Sequence, residues 1–257
     1  MPAGTVRTKM SLFDKLRTGN SETLPRQRVV TPRGHLAAAV APSPVKVAKA
    51  SPDVVPRVSR LSNGLKEFLC QLDGIGRGHL LDLGPARQTT ITFFIERGFK
   101  VYTEDLLATW KLFLDAEEKQ WRELPPGAAA LEMTPAARAE RFLESTLTHP
   151  ADTFDAVLIW DLLDYLDSDL VSRLVSRVTS LVRDGGVAFA IFHSRKPEAF
   201  HRYRVVDAQN LELIPAPCPF APQRVFQNRE IADLFRRFHS SKTFVGRDQL
   251  REGLFVK

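Results

Sequence analysis

The chain has 257 residues, 44% of them hydrophobic, enough apolar material for one sizeable core or one core with a tail. No apolar run approaches the roughly 18 residues that span a bilayer, the N-terminus has no apolar signal-peptide core, and Cys70 and Cys218 stand far apart in no metal-ligand spacing, so the chain reads as cytoplasmic, without an integral membrane segment, and with two ordinary thiols. The net charge of +6 does not mark a nucleic-acid surface, because residues 1–56 hold nine basic and three acidic side chains and the remainder balances to zero.

Residues 1–56 carry seven prolines and a single aromatic, Phe13. Such a segment buries too little apolar surface to offset its ordering entropy, and it reads as a disordered basic tail or linker. Within it, Met10–Arg17 places Leu12, Phe13 and Leu16 on one helical face among Lys9, Lys15 and Arg17. That is either a docking helix for a partner protein or an anionic surface, or a chance apolar cluster in a solvated tail, and eight residues are too few to form a helix alone.

The folded part begins with an amphipathic helix over Val58–Leu72, whose Leu61, Leu65, Phe68, Leu69 and Leu72 recur at helical spacing. His79–Leu83 is a short apolar strand with Asp82 near its end, broken by Gly84-Pro85. Thr89–Arg97 is a helix stopped by Gly98. Phe99–Thr103 is a second strand ending on Glu104-Asp105. Two strands around one helix make a βαβ unit, with parallel strands and a ligand crevice at their carboxyl ends.

Helices follow over Leu106–Arg122 and Pro135–Leu147, separated by the break Pro125-Pro126-Gly127. Phe154–Asp161 is a near-continuous apolar run and reads as a strand buried on both faces. Asp167 or Ser168 caps a helix over Asp169–Val182, which Asp184-Gly185-Gly186 closes before a further buried strand at Val187–Phe192. Arg204–Val206 and Leu211–Ile214 form a short strand pair, and four prolines from Pro215 to Pro222 form a loop. Asn228 caps a helix over Arg229–Phe238, and Thr243–Val245 with Gly253–Val256 close the chain as an antiparallel pair. The expected fold class is α/β, a Rossmann-like sandwich with a mostly parallel central sheet and an antiparallel closing hairpin.

Three stretches in this order, LLDLGPARQ, VYTED and FDAVLIWDLLDYL with LVRDGGVAFAIF, resemble the class I S-adenosylmethionine (SAM)-dependent methyltransferases. The resemblance covers about residues 57–257 and implies a methyltransferase-like domain there, beyond the tail at 1–56. It implies SAM as cofactor and methyl transfer to an acceptor it does not identify. By resemblance Asp82 is the acid of the first motif, Gly84 its close-approach glycine, and Glu104 the carboxylate that accepts the ribose hydroxyls. Ala86 stands at the second glycine of the motif and Gln88 at the third. Asp161 follows the fourth strand, on the side of the methionine or the acceptor.

The residues leave competing readings beside these. Asp82 is also a plausible strand-end cap of the turn amides, Asp105 competes with Glu104 and also suits a helix cap, and Asp161 is balanced between site and structure. Asp164 and Tyr165 read as a helix entry and a packing aromatic. His193 reads as an ordinary loop histidine or as a base near the acceptor. His201, Arg202, Tyr203 and Arg204 read as a solvated face or as a contact for an acidic substrate. No catalytic residue is assigned, since methyl transfer can proceed by orientation alone. With Gln88 in the motif and no acid visible for an adenine, the alternative is a catalytically inactive methyltransferase-like scaffold. A nicotinamide-dinucleotide enzyme fits poorly, because GPARQT supplies only the first glycine of its motif.

Overall fold

A computed structural model describes residues 58–124 and 134–257. The tail at 1–56, its Met10–Arg17 cluster and the break at Pro125-Pro126-Gly127 lie outside the described residues. The elements run β1 (Val58–Leu61), α1 (Asn63–Leu72), β2 (Gly78–Asp82), α2 (Gln88–Ile95), β3 (Phe99–Thr103), α3 (Leu106–Arg122) and α4 (Pro135–Thr146). They continue with β4 (Phe154–Trp160), a 3-10 turn (Leu162–Tyr165), α5 (Ser168–Leu181), β5 (Val182–His193), β6 (His201–Val205), β7 (Asn210–Pro215), α6 (Asn228–Leu234), β8 (Ser240–Val245) and β9 (Leu250–Val256).

The central sheet has six strands in the order β3-β2-β4-β5-β9-β8. Its first four strands are parallel, and β9 and β8 close it antiparallel. From β2 the chain crosses first to β3 on one side and later to β4 on the other. The carboxyl end of β2 is therefore the switch point at which open α/β sheets form a crevice.

Side chains alternate along the central strands with the period of two that a pleated strand imposes. Leu81, Val157, Ile159 and Phe192 face a core closed by α3, α4, α5 and α6. Leu80, Leu158, Phe189 and Ile191 face a second core closed by α1, α2 and the strands β6 and β7. Burial on both faces explains why β4 reads as an unbroken apolar run, each of its seven residues being buried.

Three sequence expectations are corrected. The helix expected over Val58–Leu72 starts only at Asn63, because the Ser62 side chain accepts from Leu65 N–H and ends the helix there as its N-cap. Val58–Leu61 is instead a strand, antiparallel to β7, in a second sheet of order β1-β7-β6. The Asp184-Gly185-Gly186 stretch, expected as a helix stop, lies inside β5, where the β4–β5 register slips between the Phe154 and Ala156 pairings. Gly185 has φ +76, and a Cβ on Gly186 would stand 2.8 Å from Val182 Cγ1, so the glycines make a bulge. Finally α6 is capped by Gln227 and not by Asn228. Gln227 forms a reciprocal capping box with Glu230, and the helix ends at Leu234 because the chain turns to pack Phe235 and Phe238 into the first core.

The small sheet is tied to the central one by a buried carboxylate. Glu252 of β9 accepts from Gly64 N–H at 2.7 Å and from Arg60 Nη1 at 2.7 Å. At its other end Val205 N–H donates to Thr90 Oγ1 of α2. The sheet β1-β7-β6 is thereby fixed beside the carboxyl ends of the parallel strands. No helix among the described residues is long and apolar enough to cross a membrane.

Candidate functional site

At the carboxyl ends of β2, β3 and β4 lies a tight hollow of about 50 Å³, smaller than the usual small-molecule site. Gly84, Asp105, Trp160 and Asp161 form its floor and one wall, and Arg202 and Tyr203 of β6 with the Pro217–Pro219 loop form its cover.

Asp82 lies beneath this floor and is 2% exposed. Its Oδ1 accepts from Gly84 N–H at 2.9 Å and from Trp160 Nε1–H at 2.6 Å. Burial pushes the carboxyl up to about 6, against the pull of those two donors and with a push from nearby Asp105. Trp160 ends β4 with φ +56, a left-handed conformation uncommon for a bulky side chain. Its indole stacks on Tyr203, with centroids 5.6 Å apart and planes 2° from parallel. A Cβ on Gly84 would stand 2.8 Å from Trp160 Cδ1. The clearing that glycine leaves is therefore taken by the indole.

The two neighbouring acids after β3 part company. Glu104 accepts from the Thr109 hydroxyl and does not line the hollow, whereas Asp105 does. Asp105 Oδ1 also accepts from Ala108 N–H at 3.3 Å as the cap of α3. Ala86 is exposed and lies outside the lining. Of the residues singled out in the sequence, Gly84 and Asp161 border the hollow, Asp82 supports its floor, and Glu104 and Ala86 stand away from it.

Asp161 is also 2% exposed, and its Oδ2 accepts from Tyr203 O–H at 3.2 Å. Burial pushes its carboxyl up to about 7, with His193 opposing that shift and Asp164 adding to it. Asp164 stands in the 3-10 turn that leads into α5. It is fully buried, and its Oδ2 accepts from His193 N–H at 2.8 Å and meets His193 Nδ1 at 2.8 Å. Tyr165 packs in the first core, as its sequence position suggests. The stretch from His201 to Arg204 is not a solvated face throughout: Tyr203 is 5% exposed, and His201 and Arg202 line the hollow. Alternation along HRYRV, with Tyr203 and Val205 turned inward, is the sequence signal that identifies Tyr203.

Among the described residues, Arg202 is the one guanidinium on the lining of the hollow. The Arg87 guanidinium is held below its usual range by burial and by Arg202 and Arg204 nearby, with Asp105 opposing. The lining thus combines apolar side chains, two carboxylates, one guanidinium and one imidazole. That set matches a zwitterionic ligand with an apolar body.

Sheet order, parallel core and closing hairpin together make this a Rossmann-like α/β sandwich. No protein-family model matches the chain, and no curated protein sequence matches it.

Solved structures do resemble it. One is the 1,6-didemethyltoxoflavin-N1-methyltransferase of Burkholderia thailandensis, with bound 1,6-didemethyltoxoflavin and S-adenosylhomocysteine, at 20% identity over 76% of this chain and 78% of that one, TM-score 0.41. A SAM-dependent methyltransferase of Clostridium acetobutylicum shares 14% identity over 75% and 90% of the two chains, TM-score 0.40. The glycopeptide N-methyltransferase MtfA, complexed with SAM, shares 16% over 83% and 99%, TM-score 0.35. These are likenesses in the course of the chain, and what the site does rests on its own residues.

Proposed function

We propose that the protein is a SAM-dependent methyltransferase whose donor binds in the hollow over β2, β3 and β4. The observation that carries this reading is the pair Asp105 and Asp161 on one largely apolar hollow at the switch point of the sheet. SAM supplies an electrophilic methyl group on a sulfonium. Asp105, whose second oxygen is not used in capping α3, is placed to accept from ribose hydroxyls. Arg202 is placed to meet the carboxylate of the methionine end, and Asp161 to face the cationic sulfonium, a charge that favours its ionised form. The Trp160 and Tyr203 rings keep water from the reacting centre.

The test is ligand-dependent melting. At a hundredfold excess over its dissociation constant, S-adenosylhomocysteine adds about 2.7 kcal/mol, which for a domain of this size raises Tm by about 5–10 °C. Asp105→Ala loses most of that shift and Glu104→Ala keeps it. The reverse pattern refutes the assignment of Asp105 and restores Glu104 as the ribose acid.

A second reading has its own support. The indole in the clearing beside Gly84 narrows the place where a close-bound ligand sits, as it would in a methyltransferase-like scaffold that binds no donor. Absence of any shift at millimolar SAM and S-adenosylhomocysteine decides for the scaffold. The division expected from composition, a tail at 1–56 and a methyltransferase-like domain at 57–257, is tested alongside. Removing residues 1–56 leaves Tm and the ligand shift unchanged if it is correct.

A further inference from the structure

The strand-end hollow holds about 50 Å³, whereas a nucleoside carrying an amino-acid arm needs a site of about 300 Å³ or more. Part of the lining must give way for such a ligand to enter, and its parts are held with unequal firmness. Trp160 is locked. Its Nε1–H donates to buried Asp82 at 2.6 Å, its ring meets Phe189 edge-on at 6.1 Å, and its Cδ1 lies against Gly84. The backbone of β6 is locked as well, since Tyr203 pairs with Leu213 in the β6–β7 ladder and Val205 N–H donates to Thr90 Oγ1 at 3.0 Å. The Tyr203 side chain is held more weakly. Its hydroxyl donates to Asp161 Oδ2 at 3.2 Å, beyond the usual O–H···O range of about 2.5–3.0 Å. Its ring rests on the indole as an offset stack, with planes 2° apart and centroids 5.6 Å apart.

Behind that ring there is room. A second hollow, of about 320 Å³, is bounded by His193, Leu213 and Leu250, and Tyr203 and His201 line both hollows and so form the partition between them. Two χ1 rotamers are common on a strand, so the ring can turn from one hollow toward the other about its own side-chain bonds while β6 stays in place.

We propose that Tyr203 is the gate of the donor site, its ring turning off the Trp160 face into the second hollow to admit the donor. This rests on the methyltransferase reading above. With the ring turned, the partition opens and the two hollows become one cleft of the size that small-molecule sites occupy. The ring then lies across the second hollow, between the donor and the water that enters there. Turning breaks the hydroxyl bond and the stack, and ligand affinity falls in proportion to the fraction of molecules whose gate stands open.

The probe is S-adenosylhomocysteine, added to the full-length protein carrying 3-fluorotyrosine. The chain has three tyrosines, and Tyr203→Phe identifies the Tyr203 ¹⁹F line by removing it. A ring stacked on an indole is shielded, so that line should move downfield as the ligand saturates. By calorimetry Tyr203→Phe, which loses only the hydroxyl bond, should bind about threefold more tightly than the unaltered protein. Tyr203→Ala, which loses the stack too, should bind roughly tenfold more tightly. If Tyr203→Ala fails to fold, the ¹⁹F line of the unaltered chain decides. Ligand bound with the Tyr203 line unmoved would overturn the gate and leave the donor reading standing. Weaker binding by Tyr203→Ala, the mark of a ring that serves as a wall, would do the same. Binding by Tyr203→Ala alone supports the gate, which is then closed too firmly in the unaltered chain. No binding by either protein would overturn the gate and the donor reading together.

Discussion

The buried carboxyl of Asp82 makes a stability test that needs no ligand. Its value near 6 in the folded protein exceeds the ordinary aspartate value of 3.8 because burial disfavours the anion. The folded state therefore binds a proton more tightly than the unfolded chain. Its contribution is fully present below the unfolded value and is lost as pH rises from about 4 through 6, the sense opposite to that of a salt-bridged carboxylate. Linkage over this shift gives a loss of about 2 kcal/mol between about pH 4.5 and pH 8. Asp82→Asn keeps an oxygen for Gly84 N–H and Trp160 Nε1–H but cannot ionise. The asparagine carries a fixed cost or gain at every pH, so only the slope matters. Urea denaturation at the two pH values, on both proteins, should show the unaltered protein losing about 2 kcal/mol more than the variant. Parallel pH profiles would refute the claim that this carboxyl is held buried under the turn.

Four further outcomes follow from the packing. Gly84→Ala forces a Cβ to within 2.8 Å of the Trp160 indole and should cost about 1–3 kcal/mol in denaturant titrations, with any ligand shift weakened because the indole must move into the hollow. Gly98→Ala places a side chain at φ +88 and 2.5 Å from Gly76 O, and should cost about 1–3 kcal/mol while leaving ligand binding intact. Ser62→Ala removes the cap of α1 and should lower stability by about 1 kcal/mol, read as a shift in the urea midpoint at constant slope. Glu252→Ala leaves Gly64 N–H unpaired and takes from Arg60 one of its two carboxylates. It should cost about 3 kcal/mol and expose β1 to proteolysis first, a loss that would be absent if the clamp were incidental.

What the sequence disclosed follows from which forces act locally. The strands β2, β3 and β4 are short apolar runs bounded by acids or glycine, and the helix α3 has the same limits in sequence and structure, because the periodicity of a buried element is written in consecutive residues. β1 escaped because Leu61 sits at helical spacing from Leu65, while its real partner is Asn210 on β7, far along the chain. The bulge at Gly185 and Gly186 reads like a helix stop for a related reason: the same glycines serve either, and pairing with β4 decides.

The site was legible in part. Asp82, Gly84 and Asp161 fall where the motif order places them, at or under the hollow. Which of the adjacent acids Glu104 and Asp105 turns toward it is settled by the Thr109 hydroxyl one helical turn on, a local contact too subtle for spacing to reveal. The pairing of Asp164 with His193, and of Trp160 with Tyr203, joins residues 29 and 43 positions apart that share no periodicity. Only tertiary packing brings them together.

Tyr203 gives the two hollows a common dependence. Its ring covers Trp160, its hydroxyl donates to Asp161, and its other side bounds the space beside His193. Burial and Asp161 hold the phenol well above its usual range, so it stays a hydrogen-bond donor at any working pH. A donor fixed on Asp161 favours the ionised carboxylate, against the burial that opposes it. β6 carries this residue and hangs between β7 and α2, anchored at Thr90 and through β1 at Glu252. The small second sheet, which a search for the parallel core alone would treat as an appendage, is thus what separates the hollow at the strand ends from the one beside His193.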